Sequence, residues 1–579
     1  MRFGIFYEHQ LPRPWDDGDE RKLLNDALEQ VEIADRVGVD HVWEVEHHFL
    51  AEYSHSSAPE VFLAAASQRT RTIRLGHGIV QVPPAVNHPA RVAERVATLD
   101  LVSNGRVDFG TGESSSAAEL GGFGVPRGEK RAMWQEALDA ITRMFVERPF
   151  PGYTGSYLRM PPREVVPAPV QKPHPPLWVA CSRRDTIMLA ARNGIGALSF
   201  SFVEPEDAAE YVKRYYELIA SEECVPAGFA VNPNIAVTVP MMIAEDEQTA
   251  IERGIDGAHF FGYSLAHYYG MRHTVGGQPV AEEFAERRDE AGFARHVVTA
   301  DGAPLGMRLM QQGLGSLRGA IGTPEQVADL IQRYADVGVD QVIFVAQAGG
   351  NRHEHICESL ELFGSRVLPR FAEGREKAEQ IKAERLASAV EAALARRSPA
   401  RTLAAPYPID EDAELARASH RPRVPVRELP ARARERTAEA LRDGAQAGLA
   451  RVVRDASDAR LHRLFDRPRA QRVIFQAMAR GYDPRFAGGF TGDLGYELRD
   501  GSGRSLWWTI RVAGGKAHAR FGRPVRPVVT VSASVPDFMR VAAGTVNQIQ
   551  YVLGGQVIVD GDLEVAGRMA DMFGARSPY

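Results

Sequence analysis

From Met1 to Phe371 the chain alternates short β-rich runs with amphipathic helical stretches, and this alternation limits the fold more than any other feature. Strands are expected at 2–8, 40–46, 73–80, 106–112, 176–182, 197–202, 234–243 and 341–347. Between the first two, Leu23-Leu24, Ala27-Leu28, Val31 and Ala34 recur at helical spacing, which gives a helix one apolar face. Gly38 then ends it, because glycine enters the left-handed conformation of a helix stop without a Cβ clash. The device returns late in the chain, with Val327, Leu330-Ile331 and Tyr334, then Gly338, then a strand-like run at 339–343. Parallel strands need crossover helices, so this count points to a closed (β/α)8 TIM barrel, an α/β fold. An open doubly wound sheet is the rival layout. The Gly-x-Gly-x-x-Gly turn of its dinucleotide-binding form is missing after the first strand.

With 579 residues the chain exceeds one ordinary core, so further domains are expected. A hydrophobic content of 44% with 25% charged residues belongs to a globular protein. The net charge of −6 gives no electrostatic basis for binding nucleic acid. Cys181, Cys224 and Cys357 lie too far apart for a disulfide framework or a metal-ligand motif. No apolar run is long enough to span a bilayer, so no stable membrane insertion is expected. The first residues enter a strand without a signal-peptide pattern, and a cytoplasmic location is the expectation.

Composition shifts after Phe371. Residues 373–397, rich in Ala, Glu, Lys and Arg, read as a solvated helix. Pro399, Pro406, Pro408, Pro422, Pro425 and Pro430 mark a linker. Its arginines are interspersed with acids and read as solvated, with contact to acidic lipid or nucleic acid as the alternative. The expected domains are therefore a barrel at 1–371, a helical and Pro/Arg-rich linker at 372–459, and a second module at 460–579. That module reads as α+β, with strands at 489–498, 506–512, 516–521, 528–532 and 556–560. Helices are expected at 535–543, 547–553 and 563–573.

The chemistry concentrates at Trp43-Glu44-Val45-Glu46-His47-His48-Phe49, where the second strand ends. Polar residues at the C-terminal ends of barrel strands face the active site. An acid and two histidines among aromatics offer proton transfer within an apolar pocket. Strand neighbours point to opposite faces, so Glu46 and His48 turn away from His47 and brace the wall. For the same reason the three cannot converge on one ion, and no metal site is expected. A long insertion at about 245–316 carries an aromatic and histidine run at 258–269. His259, Tyr263 and His267 in that run are candidate substrate contacts, on either a lid or a helix that packs its aromatics on the barrel.

Several segments, in order, resemble the bacterial-luciferase-like flavin monooxygenases. They are Glu46-His47-His48-Phe49, Pro83 with His88-Pro89-Ala90-Arg91, and the run Leu99-Asp100-Leu101-Val102-Ser103-Asn104-Gly105-Arg106-Val107-Asp108-Phe109-Gly110. Lys130-Arg131-Ala132, Pro176-Leu177-Trp178-Val179-Ala180, Gly322-Thr323-Pro324-Glu325, Leu360-Glu361-Leu362-Phe363 and Val367-Leu368-Pro369 follow. The resemblance implies a barrel that binds reduced flavin mononucleotide (FMN) at its C-terminal face. It implies a catalytic role for His47, with a buried structural histidine as the alternative. It also implies that Gly110, Thr111 and Gly112 line the flavin, and that Gly78-Ile79 lies beneath the ring, where the family often has a non-proline cis peptide. Phosphate would be held by Arg131 and by Ser182, Arg183 and Arg184. Glu113 replaces a basic residue of the family and cannot serve phosphate. A flavin reductase is the implied partner, because no nicotinamide-binding turn is present, and a homo-oligomer is expected. A deazaflavin-dependent dehydrogenase is the alternative activity, and a non-catalytic flavin or lipid carrier a third.

Pro536-Asp537-Phe538, Leu553-Gly554-Gly555-Gln556-Val557 and Val559-Asp560-Gly561-Asp562-Leu563 resemble a sterol-carrier-protein type domain. The implied ligand is long and apolar. A hydrophobic substrate for the barrel is the corresponding expectation, with a packing or dimerisation module as the alternative.

Overall fold

The structure is a computed structural model describing residues 1–114, 116–182, 184–199, 204–270, 274–288, 318–410, 449–454, 456–484, 487, 489–546, 551–552 and 555–573. Its first unit is the expected parallel barrel. The staves are β1 (Arg2–Tyr7), β2 (His41–Glu44), β3 (Arg74–His77), β4 (Val107–Gly112), β5 (Leu177–Cys181), β6 (Gly196–Ser199), β7 (Ile235–Ile243) and β8 (Gln341–Val345). Each pairs in parallel with the next, and β8 returns to β1, so the ring has no free edge.

Alternation along each strand sorts side chains between two cores. In β4, Val107 and Phe109 join the layer beneath the helices, together with Trp134, Leu138 and Ile141. Asp108 points inward and accepts from Trp178 Nε1 at 2.9 Å. Phe6, Trp43, Trp178, Leu198, Ile343 and Val345 fill the barrel interior. The floor is therefore closed by packed side chains, and chemistry is left to the C-terminal mouth.

The expected helix stops are present. Gly38 has φ 98° and donates to Ala34 O and Asp35 O, and Gly338 has φ 87°. The third strand is shorter than expected: β3 ends at His77, a bend follows at Gly78-Ile79, and pairing resumes at Val80–Gln81. Gly78 N donates to Glu44 O at 2.7 Å, which turns the chain toward β2. All cis peptide bonds among the described residues precede proline, so the Gly78-Ile79 bond is trans.

The helix expected to be solvated, observed at Arg375–Arg396, is docked on the barrel. Lys382 Nζ bonds Asn234 Oδ1 at 2.7 Å, Arg2 pairs with Glu379 at 2.7 Å, and Ala393 is fully buried. Its polar composition hid these anchors, because their partners lie hundreds of residues away in sequence.

The second unit has the expected α+β make-up. Strands β9 (Gly492–Arg499), β10 (Ser505–Ala513), β11 (Lys516–Phe521), β12 (Pro527–Ser534) and β13 (Val557–Gly561) form one sheet, ordered β11-β10-β9-β12-β13. Helices Pro468–Arg480, Val535–Ala542 and Leu563–Met572 accompany it. Phe475 stacks between Trp508, at 4.7 Å, and Phe538, at 5.2 Å, with Tyr496 edge-on. The helix expected at 547–553 lies largely outside the described residues. Among the described residues no helix is long and apolar enough to cross a membrane.

Candidate active site at the barrel mouth

His47 sits just past the end of β2, partly buried among groups from three other strand–helix connections. Its Nδ1 lies 3.0 Å from Glu119 Oε1 and its Nε2 lies 3.6 Å from Glu8 Oε2. Tyr269 Oη is 3.3 Å from the ring nitrogens. Glu8 follows β1, Glu119 rides the short helix Ala117–Gly122 after β4, and Tyr269 closes the long helix Glu247–Gly270 after β7. Barrel geometry brings these distant segments to one point.

Each group is itself held. Tyr53 Oη donates to Glu8 Oε1 at 2.9 Å, while Glu8 Oε2 is buried with no hydrogen-bond partner. Glu119 accepts from Gln81 Nε2 at 2.6 Å, His48 N at 3.0 Å and Ser114 Oγ at 2.7 Å. Ser114 has φ 61°, a left-handed backbone that non-glycine residues rarely adopt. Glu46 and His48 pair with each other at 3.1 Å, and Glu46 also accepts from Gln81 N at 2.8 Å. They brace the wall. Among the described residues no three His, Cys, Asp or Glu are grouped to hold a metal ion.

The electrostatics follow from burial and pairing. Burial raises Glu8 to about 7, although His47 and Tyr53 pull it down. Burial would lower His47, but the two flanking carboxylates outweigh it and hold the imidazole up to about 9. Burial would raise Glu119, yet His47 and its hydrogen bonds keep it below the usual carboxylate range. The imidazole is thus a cation clasped by two acids, and the buried Glu8 titrates close to neutrality.

A second polar group lies where β4 and β5 end. Lys130 Nζ donates to Ser114 O at 2.5 Å and lies 3.5 Å from Glu113 Oε1. Arg131 forks onto Glu113 at 2.9 and 2.8 Å. The guanidinium expected to hold phosphate is therefore already bonded to a carboxylate. Ser182 is exposed just past β5. Arg184 turns outward to Glu210 at 3.5 Å, and Arg183 lies outside the described residues.

The glycines of β4 are required by packing. A methyl on Gly110 would come within 2.0 Å of His77 O, and one on Gly112 within 2.4 Å of Ile79 Cδ1. Ile79 thus occupies the space these glycines leave and presents an apolar surface at the mouth. Thr111 points outward and accepts from Trp134 Nε1 at 3.0 Å, so its hydroxyl is not in the mouth.

Among the described residues the insertion holds the helices Glu247–Gly270 and Val280–Arg287. His267 pairs with Glu283 at 3.1 Å, Arg288 lies 3.3 Å from His259, and Tyr263 packs on Phe284 at 5.3 Å. These three candidate substrate residues join one lid helix to the segment that follows it. Tyr269, in the same aromatic run, is the member that reaches His47.

A family model for luciferase-like monooxygenases matches residues 1–341. The chain belongs to this family. A model of the SCP-2 sterol transfer family matches residues 488–574. The luciferase-like chain is 25% identical over 379 residues to the oxygenase component of a flavin-dependent trigonelline monooxygenase from Acinetobacter baylyi, covering 65% of this chain and 97% of that one. It is 29% identical to limonene 1,2-monooxygenase from Rhodococcus erythropolis over 389 residues, 64% of this chain and 86% of the other. The crystal structure of monooxygenase RslO1 from Streptomyces bottropensis superposes with a TM-score of 0.50 at 26% identity, covering 64% of this chain and all of that one.

Glu8, Gln81, Ser114, Glu119 and Tyr269 were not singled out from the sequence of this luciferase-like barrel. Glu8 carried a usable signal, since Glu8-His9-Gln10 is a polar run at a strand end, like Glu46-His47-His48. Glu119 carried none; it is one acid on a short loop helix.

Proposed function

We propose that the barrel is the oxygenase half of a two-component monooxygenase, taking reduced FMN from a separate reductase and oxygenating a hydrophobic substrate. The observation that carries this reading is the imidazole of His47 clasped between Glu8 and Glu119 at the mouth of a closed barrel. The residues fit a flavin in kind. Ile79 offers an apolar surface for a flat ring and His47 a proton donor, while Lys130 and Arg131 share the single carboxylate of Glu113 and leave one net positive charge between β4 and β5. When bound, reduced flavin would supply the electrons that activate dioxygen.

The protein's part is to bind, orient and handle protons. His47 would donate from Nε2 or Nδ1, and Glu119 and Glu8 would hold the imidazolium until its proton leaves. Glu8 can accept a proton near neutrality, so the pair can pass one between them. Tyr269 would cover His47 from the lid, and the aromatic packing of Tyr53, Phe261 and Tyr268 would exclude water around it. The SCP-2 family module supports a lipid-like ligand, held or delivered in the same chain.

The test is an anaerobic titration with reduced FMN, followed by tryptophan fluorescence, and then oxygen-consumption assays with a reductase present. Tight binding of reduced FMN, with His47→Ala binding equally but losing substrate-coupled oxygen uptake, is the expected result. Tight binding of reduced deazaflavin with no FMN binding would replace this reading with a dehydrogenase.

A further inference from the structure

We propose that the outer face of the C-terminal sheet, around the loop 522–527, docks this chain on an anionic phospholipid surface. The inference stands apart from the oxygenase reading. Residues 460–579 hold 17 Lys or Arg against 10 Asp or Glu, in a chain whose net charge is −6. A basic module is thus joined to an acidic barrel.

The structure gathers part of this charge on one surface. In the edge strand β11, Lys516, His518 and Arg520 alternate on one face and are exposed. They are paired in register with Ala513, Arg511 and Thr509 of β10, so these residues share that face. The loop after β11 folds back over the same face: Pro524 Cγ lies 3.0 Å from where a methyl on Gly495 would be, and Arg523 stacks 4.6 Å over Trp507. The loop therefore carries Arg523 and Arg526 onto the surface already holding Lys516 and Arg520. Two acids of β9 share this face: Asp493 is bound by Arg511 at 2.6 and 2.7 Å, and Glu497 accepts from Ser505 Oγ at 2.7 Å and Ser532 Oγ at 3.1 Å. Among the described residues, none of Lys516, Arg520, Arg523 and Arg526 forms a salt bridge with a carboxylate, which leaves the surface electropositive.

Apolar groups decide between anionic partners. Val525 at the loop tip is 90% exposed, whereas Phe521 at the loop base turns to the other face of the sheet and packs on Trp508 at 5.3 Å. A nucleic-acid surface gives an isolated valine nothing to bury against. A bilayer interface does, and it attracts the arginines beside it at the same time. The arrangement of an apolar tip ringed by cations therefore fits a peripheral contact that needs no spanning segment.

The experiment sediments the full chain with vesicles of phosphatidylcholine alone, or with phosphatidylglycerol added, at low and high salt. Binding confined to the anionic vesicles and weakened by salt is expected. The triple variant Arg520→Gln/Arg523→Gln/Arg526→Gln should lower the partition coefficient about a hundredfold, at about one kcal/mol for each cation near the surface. Val525→Asp should lower it about tenfold, with Arg192→Gln, an exposed cation of the barrel, as the unchanged control. These positions are exposed, so circular dichroism should show intact folds. Equal binding to neutral vesicles, or a triple variant that binds like the parent, would overturn the proposal. So would duplex RNA captured by the patch with no vesicle binding.

Discussion

At the residue scale, the candidate site turns on one partly buried imidazole and two carboxylates. The folded values of His47, about 9, and Glu8, about 7, both lie above their ordinary values of 6.5 and 4.5. The native state then holds more protons than the unfolded chain across these intervals. Stability from Glu8 is fully present below pH 4.5 and lost as pH rises through about 7; that from His47 is present below 6.5 and lost through about 9. Glu119 acts oppositely, and its contribution fades only as pH falls through its depressed value. The melting temperature should therefore decline between pH 6.5 and 9, and His47→Gln should flatten that decline. Glu8→Gln removes one carboxylate from the clasp, so proton NMR should show His47 titrating at a lower pH than in the parent. An unmoved His47 titration would mean that Glu8 does not feel the ring.

At the element scale, the mouth depends on a tight corner between β3 and β4. Gly110→Ala would drive a methyl into a backbone carbonyl, which cannot swing aside as a side chain can. Overpacking of this kind costs about 3 kcal/mol, and chemical denaturation should show a loss of that order. Here sequence and structure part company. Gly110 and Gly112 read as a flavin-lining turn, yet the space they leave is taken by His77 O and Ile79. Their side-chain-free backbone was legible; what filled it was not, because the Gly78 bend that delivers Ile79 is a tertiary event. The lid tells the same story. The aromatic run at 258–269 left a lid and a helix packed on the barrel both open, and helix phase against the barrel chose Tyr269 for His47 and gave His267 to Glu283.

At the scale of the whole molecule, the ring closes only when β8, from the far end of the barrel sequence, reaches β1. The docked helix Arg375–Arg396 secures this closure from below. Lys382 bonds Asn234 beside β7 and Asp340 before β8. Lys382→Ala leaves Asp340 without its cation and should remove about 2 kcal/mol of stability. A lowered thermal midpoint, with His47 still titrating as in the parent, is the expected outcome.

The sequence by itself determined the alternating architecture, the stops at Gly38 and Gly338, the join to an α+β module, and the place of His47 at a strand end. These rest on local periodicity and strand-end position, which short-range sterics and apolar patterning impose. Only the tertiary structure decided that Glu8, Glu119 and Tyr269 surround His47, that Glu113 bonds Arg131, and that a polar helix straps the barrel. Those pairings join residues far apart along the chain, and their energy exists only once the ring has closed and excluded water.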